Sequence, residues 1–511
     1  MVYQLKNKIL ACSRSTPNDE DGQIPCHDGW ADLTDPVLLM VFTYLESRDL
    51  ATAIRTCKNW CRIGNDETLW SRFVKSKVKS MTLISDETWK QTYKRITYHV
   101  PSILADTVHG NNDEVFGVNF SPSGKYIATA ASDGYVKVWN FSDMKLPIFE
   151  KQVSTSHYTN WVEFNQSETL LLVHAVERVH TEDTHPAAIL VLALEDGMRM
   201  LCASGQNLTD IRGCWYDDRS YLVVDNPSNY SSEIEIHKKE VSCGTDDVEE
   251  QALDDLCRYD DEGNVILRIE EEFSEHHMIK VFDCHRNFIE PKFPMNSEDE
   301  QSNTTSEKMI VIFCGGADDL DASGIYMYLI TDDVHRNRTV QPIRKIPIKS
   351  DCIGLTLSAD KRFLTMTTRD IEEETYDGDN NDEIDDDYYK NTLDVRLRIL
   401  DLLDNDNKFI DYHGNKSMLK TYCCFLLSMA NDRFVASGTE TGKILVWDRQ
   451  SCGLLTTLTH IPVAIPAKTC VNAVTFHPND PEVLVSVADD KTIKIWKSRN
   501  RIHCESLRMK H

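Results

Sequence analysis

The 511-residue sequence has no apolar run near the ~20 residues a membrane-crossing helix needs. Its longest, Ala187–Leu194 and Tyr422–Leu427, fall well short, so no membrane insertion is expected. Lys6 and Lys8 are followed by too few apolar residues for a signal peptide, and the expected location is the cytoplasm or nucleus. Sixteen cysteines are scattered without one CxxC pair. Structural zinc needs convergent Cys or His pairs at ligand spacing, so no metal, and no other cofactor, is expected. Free thiols are expected in a reducing compartment. The sequence also lacks a phosphate-binding GxxxxGK[ST] loop, an HExxH pair and a GxSxG elbow. Its Asp-Asp pairs fall mostly in runs where no fixed geometry can tune a pKa. No catalytic residue is assigned, and the chain is not expected to be an enzyme.

Basic residues are scarce as well: 55 Lys and Arg against 82 Asp and Glu give a net charge of −27. The deficit is local. Asp370–Asp387 holds eleven acidic residues and no basic one, and Thr245–Glu275 holds thirteen acidic and two basic. These two segments carry −22 of the −27, leaving a nearly neutral remainder. Such runs are usually solvated, mobile loops, with an acidic docking loop for a basic partner as the alternative. Without a basic stripe, nucleic acid is not an expected partner.

Apolar periodicity divides the rest. Behind Asp35-Pro36, residues Leu38, Leu39, Val41, Phe42 and Leu45 recur at helical spacing. Proline in a first helical turn loses no hydrogen bond and pre-sets φ. Leu50, Ile54, Cys57, Trp60 and Cys61 predict a second helix; Leu69, Trp70 and Phe73 begin a third; Trp89, Tyr93 and Ile96 mark a last one, ended by Pro101. The bland reading is a small helical subdomain with Trp60, Trp70 and Cys57 in its core. From Val115 the period drops to two. VFGVNF, YIATAAS and YVKVW, separated by Ser-Pro-Ser-Gly and Ser-Asp-Gly turns, predict three antiparallel strands ending at Trp139. The plan returns before Trp447 and Trp496, a recurring unit of about forty residues that marks a repeat architecture. Weaker copies read as Trp161–Val173 with Ile189–Leu194, Gly213–Val224 with Ile234–His237, Val265–Phe282 with Ile310–Ile330, and Ile353–Thr365 with Val395–Leu400.

The order Leu33, Pro36, Leu38, Phe42, Leu45, Asp49-Leu50, Cys57, Trp60, Asp66, Leu69-Trp70 resembles the F-box. The three clear repeats resemble WD repeats, in which Trp139, Trp447 and Trp496 match the family's buried third-strand Trp. Asp133 and Asp490 match the acidic turn position before that strand, and Thr441 departs from it. The chain is thus similar to F-box/WD-repeat proteins. The resemblance implies a small all-α F-box domain followed by an all-β propeller of seven blades, several degenerate. The expected layout is a flexible tail (1–28), the F-box (29–75), a linker helix (76–100), the propeller (101–498) and a C-terminal tail (499–511). Acidic insertions are expected near 238–262, 284–308 and 370–390, and Ile103–Val108 should supply the outer strand of the last blade, because a ring can leave no edge open. The implied role is substrate receptor of a cullin ubiquitin ligase. Leu33, Pro36, Leu38, Leu39, Val41, Phe42, Leu45 and Leu50 would bind the Skp-type adaptor and, through it, the cullin scaffold. The propeller face would bind the protein to be ubiquitinated, and Arg212, Arg219, Arg362 and Arg369 are candidates for reading a phosphorylated motif. Some relatives use a cullin-4 route through Trp-Asp-x-Arg, for which this chain has Trp447-Asp448-Arg449-Gln450. A WD scaffold acting without the F-box is the other alternative.

Overall fold

A computed structural model describes residues 33–508, apart from 79–80, 82, 84–86, 178–186, 196, 207–212, 226–232, 242–263, 271–276, 284–306, 315–323, 332–340, 349, 359, 371–394, 405–407, 413–428, 431–432 and 462–469. The expected N-terminal tail and the bulk of the three acidic insertions therefore lie outside the described residues. The chain divides into two compact units between Val100 and Pro101.

The first unit is helical: α1 (Asp35–Phe42), α2 (Ser47–Ala53), α3 (Lys58–Gly64), α4 (Glu67–Lys77) and α5 (Trp89–Tyr98). The helix expected over Leu50–Cys61 is in fact two, α2 and α3. Thr56 causes the break. Its N–H and its hydroxyl both donate to the Ala53 carbonyl, at 3.1 and 2.8 Å, the carbonyl to which an unbroken helix would receive the Cys57 N–H. α5 begins with a capping box in which Thr88 and Gln91 exchange side-chain to backbone bonds.

The second unit is a ring of seven four-stranded antiparallel sheets. Six are sequential: β2 (Val115–Phe120) to β5 (Asp143–Gln152), β6 (His157–Phe164) to β9 (Arg199–Gln206), β10 (Cys214–Trp215) to β13 (Asn264–Glu270), β14 (His277–Asp283) to β17 (Arg344–Pro347), β18 (Ser350–Leu357) to β21 (Phe409–Tyr412), and β22 (Met429–Ala430) to β25 (Leu454–Thr459). The seventh joins β26 (Val471–His477), β27 (Asp480–Ala488) and β28 (Thr492–Ser498) to β1 (Pro101–His109). The outer-strand expectation holds, since Leu104 pairs with Trp496 and Val108 with Ile493. Middle strands such as β3 (Tyr126–Ala131) and β24 (Lys443–Asp448) are buried almost end to end, whereas outer β5 is mostly exposed. A middle strand is covered on both faces by neighbouring blades and reads as a continuous apolar run rather than an alternating one.

Two further expectations change. Val265–Phe282 does not open a single blade: β13 closes the third, on β12 (Glu233–Glu240), and β14 opens the fourth. The long acidic segment separates β13 from its partner in sequence, so periodicity alone attaches it to the strand on its C-terminal side. Nor are residues 499–511 wholly a tail, because Arg499–Arg508 forms α6, fixed by Arg501 to Asp480 (3.3 Å) and Glu505 to Lys497 (2.9 Å). Seven described cysteines are free thiols, but Cys470 is disulfide-bonded, against the expectation of free thiols throughout.

Candidate functional site

In the helical unit, α1 starts where Pro36 pre-sets its first turn, and Asp35 meets Arg62 at 2.6 Å. That hydrogen bond holds the Asp35 carboxyl below its usual range. The expected contact residues then divide by burial. Leu38 and Phe42 of α1, Leu45 just beyond it and Leu50 of α2 all point into the bundle, where each is at most 4% exposed. Phe42 packs edge-on against Trp60 at 5.5 Å, and Trp70 donates its Nε1–H to the Gly64 carbonyl at 2.9 Å. Trp70 is core as expected, and Trp60 is half-buried. Leu33, Leu39 and Val41 are half-buried and Pro36 is exposed.

What α1 offers to the outside was missed in the sequence. Val37, Met40 and Tyr44 are 42%, 58% and 67% exposed; Val37 and Met40 lie one turn apart on α1 beside Pro36, and Tyr44 follows in the turn just past its end. The signal was present, because helical spacing defines two faces. Both were apolar here, so the pattern could not say which one turned outward.

In the propeller the three tryptophans lie on third strands as expected. Trp139 donates to Thr129 Oγ1 (3.1 Å), Trp496 donates to Ser486 Oγ (2.8 Å), and Trp447 is fully buried. Around Trp496 the network runs on. Ser486 Oγ lies 2.8 Å from His460 Nδ1, and His460 Nε2 lies 3.3 Å from Asp490 Oδ1. A neutral imidazole protonated at Nε2 satisfies both distances, accepting from Ser486 and donating to Asp490. Burial pushes the His460 pKa down and outweighs the attraction of Asp490. Burial works against the Asp490 charge too, but bonds from His460 and Thr492 hold its carboxyl at about 2. Asp133 accepts from the Tyr135 N–H at 3.1 Å. Thr441, at the matching turn, lies 3.0 Å from the Thr439 hydroxyl.

Among the described residues the candidate arginines form no cluster. Arg212 lies outside the described residues. Arg219 and Arg362 occupy first-to-second-strand turns of different blades, and Arg369 sits near the opposite end of its strand. Arg362 is already engaged, with both Asp401 oxygens in reach (Nη2 to Oδ2 2.7 Å) and its guanidinium over Phe363. Burial raises Asp401, yet Arg362 and the Leu403 N–H hold it below the usual range. Arg449 stacks on the same ring, 4.1 Å from the Phe363 centroid. Among the described residues no group of His, Cys, Asp and Glu is placed to hold a metal ion, and no helix is long and apolar enough to cross a membrane.

A family model described as F-box-like matches residues 30–76, and the WD domain, G-beta repeat model matches 103–140 and 456–497. The chain therefore carries an F-box-like match on its helical unit and WD-repeat matches at both ends of its seven-blade propeller. Along 91% of its length it is 22% identical to mouse F-box/WD repeat-containing protein 5, covering 93% of that protein, and the human protein of the same name gives 22% and 94%. A stretch of 71 residues is 41% identical to GID complex subunit 7 of Schizosaccharomyces pombe, 13% of that protein's length. The F-box match covers α1 to α4, and each WD match takes the outer strand of one blade and three strands of the next: β1 with β2 to β4, and β25 with β26 to β28, which carries Trp496.

Proposed function

We propose that this F-box/WD-repeat chain is the substrate-recognition subunit of a cullin-RING ubiquitin ligase of the SCF type. The observation that supports it is the pairing, in one chain, of a helical F-box presenting exposed apolar residues with a closed seven-blade propeller. Pro36, Val37, Met40 and Tyr44 dock the Skp-type adaptor, with Leu33, Leu39 and Val41 at the margin and Leu38, Phe42, Leu45 and Leu50 holding the helix in place. Each apolar side chain buried there is worth ~1.5–3 kcal/mol before the cost of association. The propeller holds the target protein, and the chain contributes to the reaction by positioning: a tethered lysine meets the carried ubiquitin at raised effective concentration. No catalytic group of its own is required, and a cytoplasmic or nuclear location belongs to this proposal.

The cullin-4 alternative is less well supported. Asp448 of Trp447-Asp448-Arg449-Gln450 is buried and accepts from Ser451, and Arg449 is stacked on Phe363. Gln450 is exposed where that route would use an arginine.

The test is adaptor binding by the purified full chain beside Met40→Asp/Tyr44→Asp. Both substitutions fall on exposed positions, so the melting temperature should be unchanged. The expected result is a loss of adaptor affinity on the order of 100-fold or more. A folded wild type that does not bind the adaptor would sink the proposal in favour of a WD scaffold independent of the ligase.

A further inference from the structure

A second surface of the helical unit lies on α4 and α5, away from the exposed α1 residues in sequence and made of different chemistry. Trp70, Phe73 and Tyr93 pack as a triangle with ring centroids 5.5, 5.7 and 5.9 Å apart. Every ring carries a cation. Lys90 Nζ lies 5.3 Å from the Trp70 centroid, the Arg72 guanidinium 4.7 Å from Phe73, and Lys77 Nζ 5.6 Å from Tyr93. Lys75 lies 5.2 Å from the ring of Trp89, which opens α5. Arg72 is further fixed by donating to the Leu45 carbonyl at 3.0 Å, and Lys90 by donating to Asn65 Oδ1 at 2.5 Å.

Ring faces attract cations electrostatically, so these charges are held in place rather than left to wander. They are also crowded. The Lys90 pKa is pushed down first by burial and then by the charge of Lys94 one turn along α5. Arg72, Lys75, Lys77 and Lys94 are exposed. Two carboxylates beside this face have partners of their own: Glu67 of α4 accepts from the Trp89 N–H (2.7 Å), and Glu87, just before α5, accepts from Thr92 (2.9 Å) and Arg95 (3.2 Å). In a chain of net charge −27, Arg72, Lys75, Lys77, Lys90 and Lys94 gather positive charge on two neighbouring helices, ordered there by aromatic rings.

We propose that the α4–α5 cation face docks an acidic peptide segment of a partner protein. Charge complementarity fixes the sign of the partner, and size favours a peptide. Arg72 to Lys77 covers about 8 Å of helix axis, the reach of a few carboxylates, whereas a nucleic acid strand would run on past the patch over a chain that repels it. This surface adds a contact that the adaptor-docking reading does not need.

The experiment measures fluorescence anisotropy of a labelled short polyglutamate peptide with the purified full chain, beside a matched polyglutamine peptide and a single-stranded oligonucleotide. The variant is Lys75→Gln/Lys77→Gln/Lys94→Gln, which leaves Arg72 and Lys90, with their backbone and amide bonds, untouched. The expected result is salt-sensitive binding of polyglutamate alone, weakened about tenfold or more in the variant. The variant's melting temperature and its adaptor binding should match the wild type. Equal affinity in both proteins, absence of binding, or preference for the oligonucleotide would overturn the proposal. Because the readout is the peptide and not the adaptor, failure of the ligase reading would leave this result standing.

Discussion

His460 ties the last two blades together through a single residue. It follows β25 of the sixth blade, yet its ring binds Ser486, Asp490 and Thr492 of the seventh, and its carbonyl accepts from Lys494. Burial depresses its pKa, so the folded chain holds fewer protons than the unfolded one as pH falls below the free-histidine value of about 6.5. Stability from this group is therefore full above that pH and is lost as pH falls through the depressed value, with a slope of at most about 1.4 kcal/mol per pH unit. Asp490 adds a second loss of the same sign between its ordinary value of 3.8 and about 2. Thermal melting from about pH 7 down to pH 5 should show a declining midpoint, with a flatter decline in His460→Gln. An equal slope in the variant would show that other groups set the acid limb. Asp490 and Trp496 were legible in the sequence because they belong to a compact strand-turn-strand unit. His460 was not, because it lies 26 residues from the serine it binds.

At the scale of elements, the blades approach one another closely enough that side-chain volume decides the fit. Gly438, at the end of β23 (Phe434–Gly438), faces the next blade so closely that a Cβ would sit 2.1 Å from the Val471 carbonyl oxygen. The obstacle is backbone and cannot rotate away. Gly438→Ala should cost about 1–3 kcal/mol, read as a lower denaturation midpoint, and an unchanged midpoint would show that the blades can part at that seam. Element type was largely readable from period: β2, β3 and β4 (Tyr135–Asn140) match the expected strands. Element breaks were less so. The α2–α3 division depends on a Thr56 hydroxyl turned back on its own chain, and the blade assignment of β13 depends on a partner strand beyond the acidic segment.

For the whole molecule, closure is the decisive event. The first strand of the propeller unit is the outer strand of its last blade, so the ring's ends are joined by hydrogen bonds between β1 and β28. Val108 enters the same buried cluster as Val483, Ile493 and Ile495. Val108→Asp would put a carboxylate there without a partner and should cost about 3 kcal/mol or more. Leu146→Asp, on the exposed outer strand β5 of the first blade (77% exposed), should change little. If the two variants unfold alike in urea, the β1 seam is not what closes the ring.

The sequence by itself determined the period of each region, the change from helices to strands near Pro101, the repeated Trp-bearing strands and the sign and place of the acidic charge. All of these are local: they depend on neighbours a few residues apart. Tertiary structure alone decided which apolar face of α1 turned outward, which side chains met across blades, and that four helical rings and five cations shared one surface. Such contacts join residues distant in the chain, and the spacing of residues along a helix or strand carries no record of what lies opposite.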